Sequence, residues 1–278
     1  MPGIDWTSYG TPRADLGQAL WEYYINLDRF IGPRLYPLTP VTKKAAKYGC
    51  ITRESILRQP ASLKRAAHSA YNRDGFETED KDYSCEEYGE EVPVDYGEVA
   101  KYASDFDAEM AAGRMALHWL MLDQERRVAA EVMNVDSDHW DSTDSNLYTD
   151  VSTVWSSTGS ANVITDIDSA KDKVVDNCGM EPNTMVLSRT NRNYLKNNTA
   201  QISDRYKYVR SMPDGEFDAW LADILGFEQV LVGRAVYNSA KKGQAFSKSG
   251  VWSNSYVWVG IVNTSEQIEL PSAGRTFT

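Results

Sequence analysis

The stretches KYGCITRESILR (residues 47–58) and DYSCEEYGEEVPVD (residues 82–95) decide how the rest of the sequence is interpreted. Each carries β-branched and aromatic residues in partial alternation, which is typical of a β-strand. The polar stretch between them ends in RDGFETEDK (residues 73–81), which suits the tip of a hairpin. The sequence therefore predicts a long two-stranded ribbon over residues 34–94.

The two limbs of this ribbon have opposite charge. Residues 34–73 contain nine Lys or Arg and one acid, whereas residues 74–98 contain eleven acids and one Lys. One interpretation is that the charges simply pair across the hairpin, each pair adding about a few tenths of a kcal/mol. However, an isolated ribbon is marginally stable in water, and this one has too few apolar residues to build a core of its own. We therefore also expect it to lie on another structure, such as a neighbouring subunit.

Apolar residues at the spacing of an α-helix occur in the sequence both before and after the ribbon. Residues 14–27, ADLGQALWEYYINL, predict a short amphipathic helix, and Pro33, Pro37 and Pro40 then favour an extended arm. From Asp95 to Met133, apolar residues recur at steps of three and four without a proline. A single helix over this range would be roughly 57 Å long. We expect this helix to act as a rigid support, with its row of apolar side chains used for packing and not for binding a cofactor.

The last third of the sequence alternates between helical and strand patterns. A helix is predicted to end at Gly179, a buried strand follows, and a later helix is predicted to end at Gly226. The stretches that carry this pattern are DIDSAKDKVVDNCG (166–179), EPNTMVLS (181–188), RTNRNYLKNN (189–198), DAWLADILG (218–226), FEQVLVGRAVYN (227–238) and SYVWVGIV (255–262). They predict a compact α/β domain from about residue 155 to residue 255.

Composition narrows the class of protein. The 278 residues are 42% apolar, enough for a substantial core, and they show no signal peptide and no apolar run long enough to cross a bilayer. We expect a protein that is soluble and intracellular when synthesised. The formal net charge of -11 disfavours general binding to nucleic acid. If the ribbon turns near residue 68, Cys50 falls almost opposite Cys85, but a disulfide is not expected in a reducing cytoplasm.

The stretch NVDSDHWDSTDSN (residues 134–146) is the strongest candidate for a metal site. Its possible ligands are Asp136, Asp138, His139, Asp141 and Asp144. A calcium loop that starts at Asp136 would have Trp140 at position 5 and Leu147 at position 12, so it lacks the required ligands. We interpret the stretch as a polar connector. No nucleophile, phosphate-binding or dinucleotide motif is present, so no catalytic, cofactor-binding or metal-binding residue is predicted.

The order of these elements resembles the major capsid protein of tailed bacteriophages, which has the Hong Kong 97-type fold. The two ribbon stretches look like that family's E-loop, residues 95–133 like its spine helix, and residues 166–198 and 223–240 like its axial domain. The resemblance implies an α+β chain with five parts. These are an N-terminal arm (1–33), an extended E-loop hairpin (34–94), a peripheral domain with spine helix and crossover (95–154), an axial domain (155–255) and a return towards the peripheral domain (256–278).

The same resemblance implies a structural protein without enzymatic activity or cofactor. Such a protein assembles with itself, as pentamers and hexamers, into the icosahedral head shell that encloses the double-stranded DNA genome of a tailed phage. Implied partners are scaffolding, portal and decoration proteins, with assembly in the host cytoplasm, a final place in the virion and no membrane. Because contacts in such a shell are heterologous, the ribbon's charges are expected to contact neighbouring subunits. The candidates are Lys43, Lys44, Lys47, Arg53, Glu86, Glu87, Glu90 and Glu91.

Two departures from the family pattern and two alternatives remain. The family usually continues beyond the equivalent of residue 278, so this C-terminus is expected to be short or the sequence incomplete. Nothing resembles a long N-terminal scaffolding extension, which favours a separate scaffolding protein or none. An encapsulin-like nanocompartment shares the fold, but the long hairpin and the arm with Trp6 and Trp21 favour the phage protein. A metal-dependent enzyme that uses residues 136–144 is the weakest alternative.

Overall fold

The structure is a computed structural model that describes residues 30–59, 64, 70–71, 73, 75–102, 107–135, 140, 147–241, 243–265 and 271–278. Within these ranges the α-helices are α1 (Gly32–Leu35), α2 (Arg53–Ile56), α3 (Tyr96–Tyr102), α4 (Ala108–Val132), α5 (Val163–Cys178), α6 (Arg189–Asn197) and α7 (Asp214–Leu225). The strands are β1 (Leu38–Thr39), β2 (Ala45–Ile51), β3 (Thr78–Ser84), β4 (Thr184–Ser188), β5 (Gln229–Gly233), β6 (Val236–Asn238), β7 (Lys248–Gly250), β8 (Trp258–Gly260) and β9 (Thr276–Phe277). The helix predicted over residues 14–27 lies outside the described residues.

The chain divides into two compact units. The first comprises Met1–Phe30 and Tyr88–Gln124, and the second comprises Ile31–Glu87 and Glu125–Thr278, so α4 contributes to both. In the first unit, Phe30, Ala108 and Met121 are buried, and the Phe30 ring lies 5.6 Å from the ring of His118. That contact gives His118 a packing role.

The long helix of the sequence analysis is shorter than predicted. Asp107 is not helical, and it separates α3 from the 25 residues of α4. The Asp107 carboxylate accepts a hydrogen bond from the backbone N–H of Met110 (3.0 Å), which is the geometry of a helix N-cap. The prediction of one continuous helix from Asp95 to Met133 was therefore wrong, and α4 is about 37 Å long.

The second unit is built around the three-stranded sheet β5-β4-β8. β4 is the central strand, parallel to β5 and antiparallel to β8, and all five of its residues are buried. Because side chains alternate along a strand, Met185 and Leu187 face one core, which α5, α6 and α7 cover. Val186 faces a second core, which contains Val128 and Val132 of α4 together with the side chains of α1. The sheet therefore has apolar packing on both faces.

Helix ends in this unit follow the signals in the sequence. Gly179 (φ 70°) and Gly226 (φ 71°) adopt the left-handed conformation that ends α5 and α7, and glycine adopts it without a Cβ penalty. The Ser188 hydroxyl accepts a hydrogen bond from Asn191 N–H (3.2 Å) and caps α6. The predicted helices and buried strand of residues 166–226 are confirmed. The predicted strand 227–238 divides into β5 and β6, which lie in different sheets.

The ribbon is present, but its register differs from the predicted one. β2 pairs antiparallel with β3 from Ala45 opposite Ser84 to Ile51 opposite Thr78. The second strand therefore precedes most of residues 82–95, and residues 85–95 belong to no strand. Acidic residues form β3 because strand preference depends on the pairing partner more than on residue type.

This register also corrects the proposed juxtaposition of two cysteines. Cys50 lies opposite Glu79, while the backbone N–H of Cys85 donates to the carbonyl of Lys44, six residues further along the ribbon. Cys50, Cys85 and Cys178 are all free thiols. The interpretation that placed Cys50 opposite Cys85 was wrong because the strands pair about a centre nearer residue 64 than residue 68.

Candidate functional site

The β2–β3 ribbon is an exposed feature of the second unit. No side chain of either strand is buried, and six of the seven β3 residues are exposed. A two-stranded hairpin with no buried face is marginally stable in water. Its stability must therefore come from what it contacts.

Aromatic side chains hold the base of the ribbon. The Phe277 ring lies 4.8 Å from the ring of Tyr83 and 5.5 Å from the ring of Tyr48. Phe277 belongs to β9, which pairs parallel with β1, and the Cys85 thiol donates to the Phe277 carbonyl (3.8 Å). Burial raises the pKa of Tyr48, and the neighbouring Cys50 thiol raises it further, so the phenol stays neutral at physiological pH. The end of the chain thus anchors the ribbon on one side.

Some charges of the two limbs pair within the ribbon. The Lys44 ammonium lies 2.8 Å from the Glu87 carboxylate, and the Lys47 ammonium lies 3.8 Å from Asp82. Lys81 pairs with Glu79 of its own strand (2.9 Å), and this hydrogen bond raises the pKa of Lys81. All these side chains are exposed, and exposed ion pairs add little to stability. The ribbon therefore carries charge that is available for other contacts.

Seven of the eight predicted contact residues are exposed, and two of them, Glu90 and Glu91, belong to the first unit and not to the β2–β3 ribbon. Lys43, Lys44, Lys47, Glu86, Glu87, Glu90 and Glu91 are all exposed. The side chain of Arg53 lies outside the described residues. The structure brings Lys44 and Glu87 together, and the Lys43 carbonyl accepts from the Tyr83 hydroxyl (3.1 Å). Glu90 and Glu91 make no hydrogen bond or ion pair within the described part of the chain.

A buried carboxylate joins three distant segments of the second unit. Glu125 of α4 is fully buried and accepts hydrogen bonds from Ile31 N–H (3.1 Å), Gly32 N–H (2.6 Å) and the Trp252 indole N–H (2.6 Å). Burial raises the pKa of this carboxyl, although the three hydrogen bonds act in the opposite direction. The interaction fixes the position of α1 and hence the chain that leads into the ribbon.

Neither Phe277 nor Glu125 was among the residues predicted from the sequence to have a role. Phe277 had a weak signal, since it is the sole aromatic residue in the last eight positions. The sequence carries no signal for a buried role of Glu125, because a glutamate in a helix rich in charged residues is normally expected to face solvent.

The suggested metal-binding stretch lies mostly outside the described residues. Residues 136–139 and 141–146 lie outside the described residues, while Trp140 packs 6.1 Å from the Trp258 ring beside the second core. In the described ranges, no group of His, Cys, Asp or Glu side chains is arranged to hold a metal ion. None of the helices there has the length and apolar character needed to cross a membrane.

The fold is similar to that of a solved phage-related protein from Bordetella bronchiseptica RB50. The two superpose with a TM-score of 0.60 at 21% sequence identity, over 94% of this chain and 79% of the other. This similarity shows a shared mixed helix-and-sheet fold. A solved structure from Microbacterium phage Oxtober96 superposes with a TM-score of 0.44 at 13% identity, over 83% of this chain and 90% of the other, which is too weak to define the fold.

Sequence comparison gives one further relationship. The chain is 26% identical over 231 residues to a protein named major capsid protein from Pseudomonas phage JBD67. The matched region is 81% of this chain and 69% of that relative. No protein-family model matches the chain.

Proposed function

We propose that the chain is the major capsid protein of a tailed phage, with the Hong Kong 97-type fold. In this proposal, copies assemble as pentamers and hexamers into the icosahedral head shell that encloses double-stranded DNA. The distant sequence similarity to a phage major capsid protein and the fold shared with a phage-related protein support a capsid role. The protein then acts structurally and not as an enzyme.

The exposed ribbon is the observation that carries the proposal. Its strands pair over seven residues, bury no side chain and are anchored at the base by Phe277. Such an element gains stability when a second protein surface covers it. In a closed shell each ribbon covers a different patch on the next copy, which is a heterologous contact that closes into rings.

We assign the parts of the fold to the five parts implied by the sequence. The ribbon corresponds to the E-loop within residues 34–94, and α4 corresponds to the spine helix within residues 95–154. The sheet β5-β4-β8 with α5, α6 and α7 corresponds to the axial domain (155–255), and β9 corresponds to the return segment (256–278). The arm (1–33), the scaffolding, portal and decoration partners, and assembly in the host cytoplasm before incorporation into the virion belong to the same proposal.

The ribbon charges supply the proposed contacts between subunits. Lys44 and Glu87 are exposed even though they pair with each other, so either can take a partner from another copy at little cost. Glu90 and Glu91 have no partner in the described residues to give up. Lys43, Lys47, Arg53 and Glu86 complete the set that we propose as contact residues.

Purification of native particles tests the proposal. Particles from cells that produce the chain are separated by density and examined by negative-stain electron microscopy and mass spectrometry. We expect tailed, DNA-filled heads in which this chain is the most abundant protein. Tail-less shells filled with an enzyme would favour the encapsulin-like alternative and overturn the phage assignment.

A metal assay addresses the remaining alternative. A metal-dependent enzyme would use Asp136, Asp138, His139, Asp141 and Asp144. Elemental analysis of the purified protein, followed by thermal unfolding with and without chelator, separates the two cases. We expect no stoichiometric metal and no shift of the unfolding temperature, whereas a bound metal with a hydrolytic activity would contradict the structural role.

A further inference from the structure

A cationic turn, residues 205–210, connects α6 to α7 in the second unit. Residues 199–213 contain three cations and one acid, although the chain as a whole has a net charge of -11. The cations, Arg205, Lys207 and Arg210, are all exposed, and their side chains make no hydrogen bond or ion pair within the described ranges. The acid, Asp204, is also exposed and pairs with none of them. The turn therefore presents positive charge that nothing in the described chain balances.

The fold holds this turn in a fixed conformation. Ile202 and Val209 are buried in the core beneath it, and the Tyr206 ring lies 5.1 Å from the ring of Trp220. The backbone N–H of Tyr206 donates to the Ile202 carbonyl (2.9 Å), and that of Val209 donates to the Tyr206 carbonyl (3.0 Å). The cations and Tyr208, which is 53% exposed, therefore face solvent from a well-anchored turn. Arginine and tyrosine are enriched at protein interfaces.

The exposed face of α5 has the complementary charge. Two lysines of this helix are turned towards their own chain, since Lys171 donates to the Leu225 carbonyl (2.8 Å) and Lys173 to the Tyr148 carbonyl (2.5 Å). Apart from one threonine, the exposed residues of α5 are three aspartates at steps of four residues, which form a row about 12 Å long. These aspartates, which make up the α5 acidic face, are Asp168, Asp172 and Asp176.

The cationic turn and the α5 acidic face do not meet within one chain. Both belong to the second unit, yet no ion pair joins them, and the three carboxylates have no other partner within the described residues. Two surfaces of opposite charge that stay apart in one copy are suited to meet between two copies. Because the two patches differ, the contact is heterologous, and contacts of this type close into rings.

We infer that the cationic turn of one copy binds the α5 acidic face of the next copy around a capsomer. The three cations of the turn face the three aspartates, and the Tyr208 hydroxyl donates to one of the carboxylates. This inference rests on the proposed function, and it adds to it the two surfaces that join neighbouring axial domains. A nucleic acid on the turn is the competing occupant. A second copy is favoured because the chain itself supplies matching carboxylates in equal number.

A charge-swap experiment tests the inference in the full chain. Lys207→Glu with Arg210→Glu, and separately Asp172→Lys with Asp176→Lys, are each expected to abolish particles, because like charges then face each other. The four substitutions together are expected to restore particles, because the charges are exchanged and not removed. Loss of particles in both double variants without recovery in the combined variant would overturn the inference.

A matched control separates this contact from an effect of net charge. Lys241→Glu with Lys248→Glu makes the same charge change at two exposed lysines that have no side-chain partner in the described residues. The control is expected to leave the particle yield unchanged, and an equal loss of particles would overturn the inference. Urea unfolding of each variant chain should give the wild-type free energy, because no substituted side chain has a partner in the described part of the chain.

Zero-length cross-linking supplies a direct readout. Wild-type particles assembled from a mixture of ¹⁴N- and ¹⁵N-labelled chains are treated with a carbodiimide, which joins neighbouring carboxylates and lysines. We expect mixed-label cross-links from Lys207 to Asp172 or Asp176. Wild-type particles without these cross-links would overturn the inference. Intact shells of the Lys207/Arg210 variant would also overturn it, and their lack of DNA would identify nucleic acid as the occupant. Absence of any wild-type particle would instead defeat the proposed function.

Discussion

The Glu125 carboxylate accepts a 2.6 Å hydrogen bond from the indole N–H of Trp252, across 127 positions of sequence. The same carboxylate accepts from the backbone N–H groups of Ile31 and Gly32, so it joins α4, α1 and the segment after β7. Because all three donors are buried, this interaction makes the position of α1 depend on one side chain.

Glu125→Gln should destabilise the protein. A glutamine keeps one acceptor oxygen, and its amide nitrogen would face a backbone or indole N–H that needs an acceptor. Leaving one buried donor unpaired costs about 1–3 kcal/mol. Urea unfolding measures this loss, and Glu181→Gln, at an exposed residue without a partner in the described ranges, should change the free energy of unfolding little. Equal stability of the two variants would contradict the role of Glu125.

The raised pKa of Glu125 also predicts a pH dependence. Because burial raises this pKa above its usual value of 4.5, the folded state binds a proton more readily than the unfolded state. The protonated acid keeps lone pairs on both oxygens, so it can still accept from all three donors. The stability of the wild type relative to Glu125→Gln should therefore be greatest below about pH 4.5 and decrease as pH rises through the folded pKa. A difference that increases with pH would contradict this account.

Arg192→Met should be among the most damaging single substitutions. Arg192 is 1% exposed and lies 2.5 Å from the Asp214 carboxylate and 3.3 Å from that of Asp218. Burial already raises the pKa of Asp218, although Arg192 lowers it, so removal of the arginine leaves a largely buried carboxylate. We expect a loss of about 3 kcal/mol in thermal or urea unfolding.

A second substitution identifies the cause of that loss. Adding Asp218→Asn to Arg192→Met should recover part of the stability, since no uncompensated charge then remains. Arg205→Met is the control, at an exposed arginine that has no partner among the described residues. If the double variant is as unstable as the sum of the single ones, the two side chains act independently.

Phe277→Ala should release the base of the ribbon without unfolding the sheet β5-β4-β8. The substitution removes ring contacts to Tyr48 and Tyr83, and aromatic pairs contribute about 0.5–1.5 kcal/mol each. Amide hydrogen exchange of residues 45–51 and 78–84 should accelerate about tenfold, while that of β4 stays unchanged. Phe76→Ala, at a 70% exposed residue, serves as the control. Unchanged ribbon exchange in Phe277→Ala would show that β9 does not anchor it.

Gly233→Ala tests the packing behind β5. A Cβ at this position would overlap the side chain of Trp252, which is buried and also bonded to Glu125. Overpacking of this kind costs about 1–3 kcal/mol. Gly49→Ala in β2, where a Cβ meets nothing within 4 Å, is the matched control and should be nearly neutral in thermal unfolding.

Local signals made part of this fold predictable. The glycines that end α5 and α7 and the uninterrupted apolar strand β4 are each encoded by a few neighbouring residues. The ribbon register was not predictable, because it depends on which residues pair across about 30 positions, and acidic residues outside the usual strand composition form β3. The Asp107 cap, which shortens the long helix, competes with an apolar pattern that continues through it.

The candidate site was predictable in its charge but not in its contacts. Opposite charge on the two limbs was evident from composition, and Lys44 and Glu87 do meet. The anchoring by Phe277 and the link through Glu125 join residues 93 to 229 positions apart, and no local pattern encodes such distances.

Cryo-electron microscopy of the purified particle tests the central claim most directly. The account predicts a closed shell with five-fold and six-fold capsomers, in which the β2–β3 ribbon of each copy lies on a different copy. A shell in which every ribbon contacts only its own chain, or a protein that forms no closed shell, would contradict it.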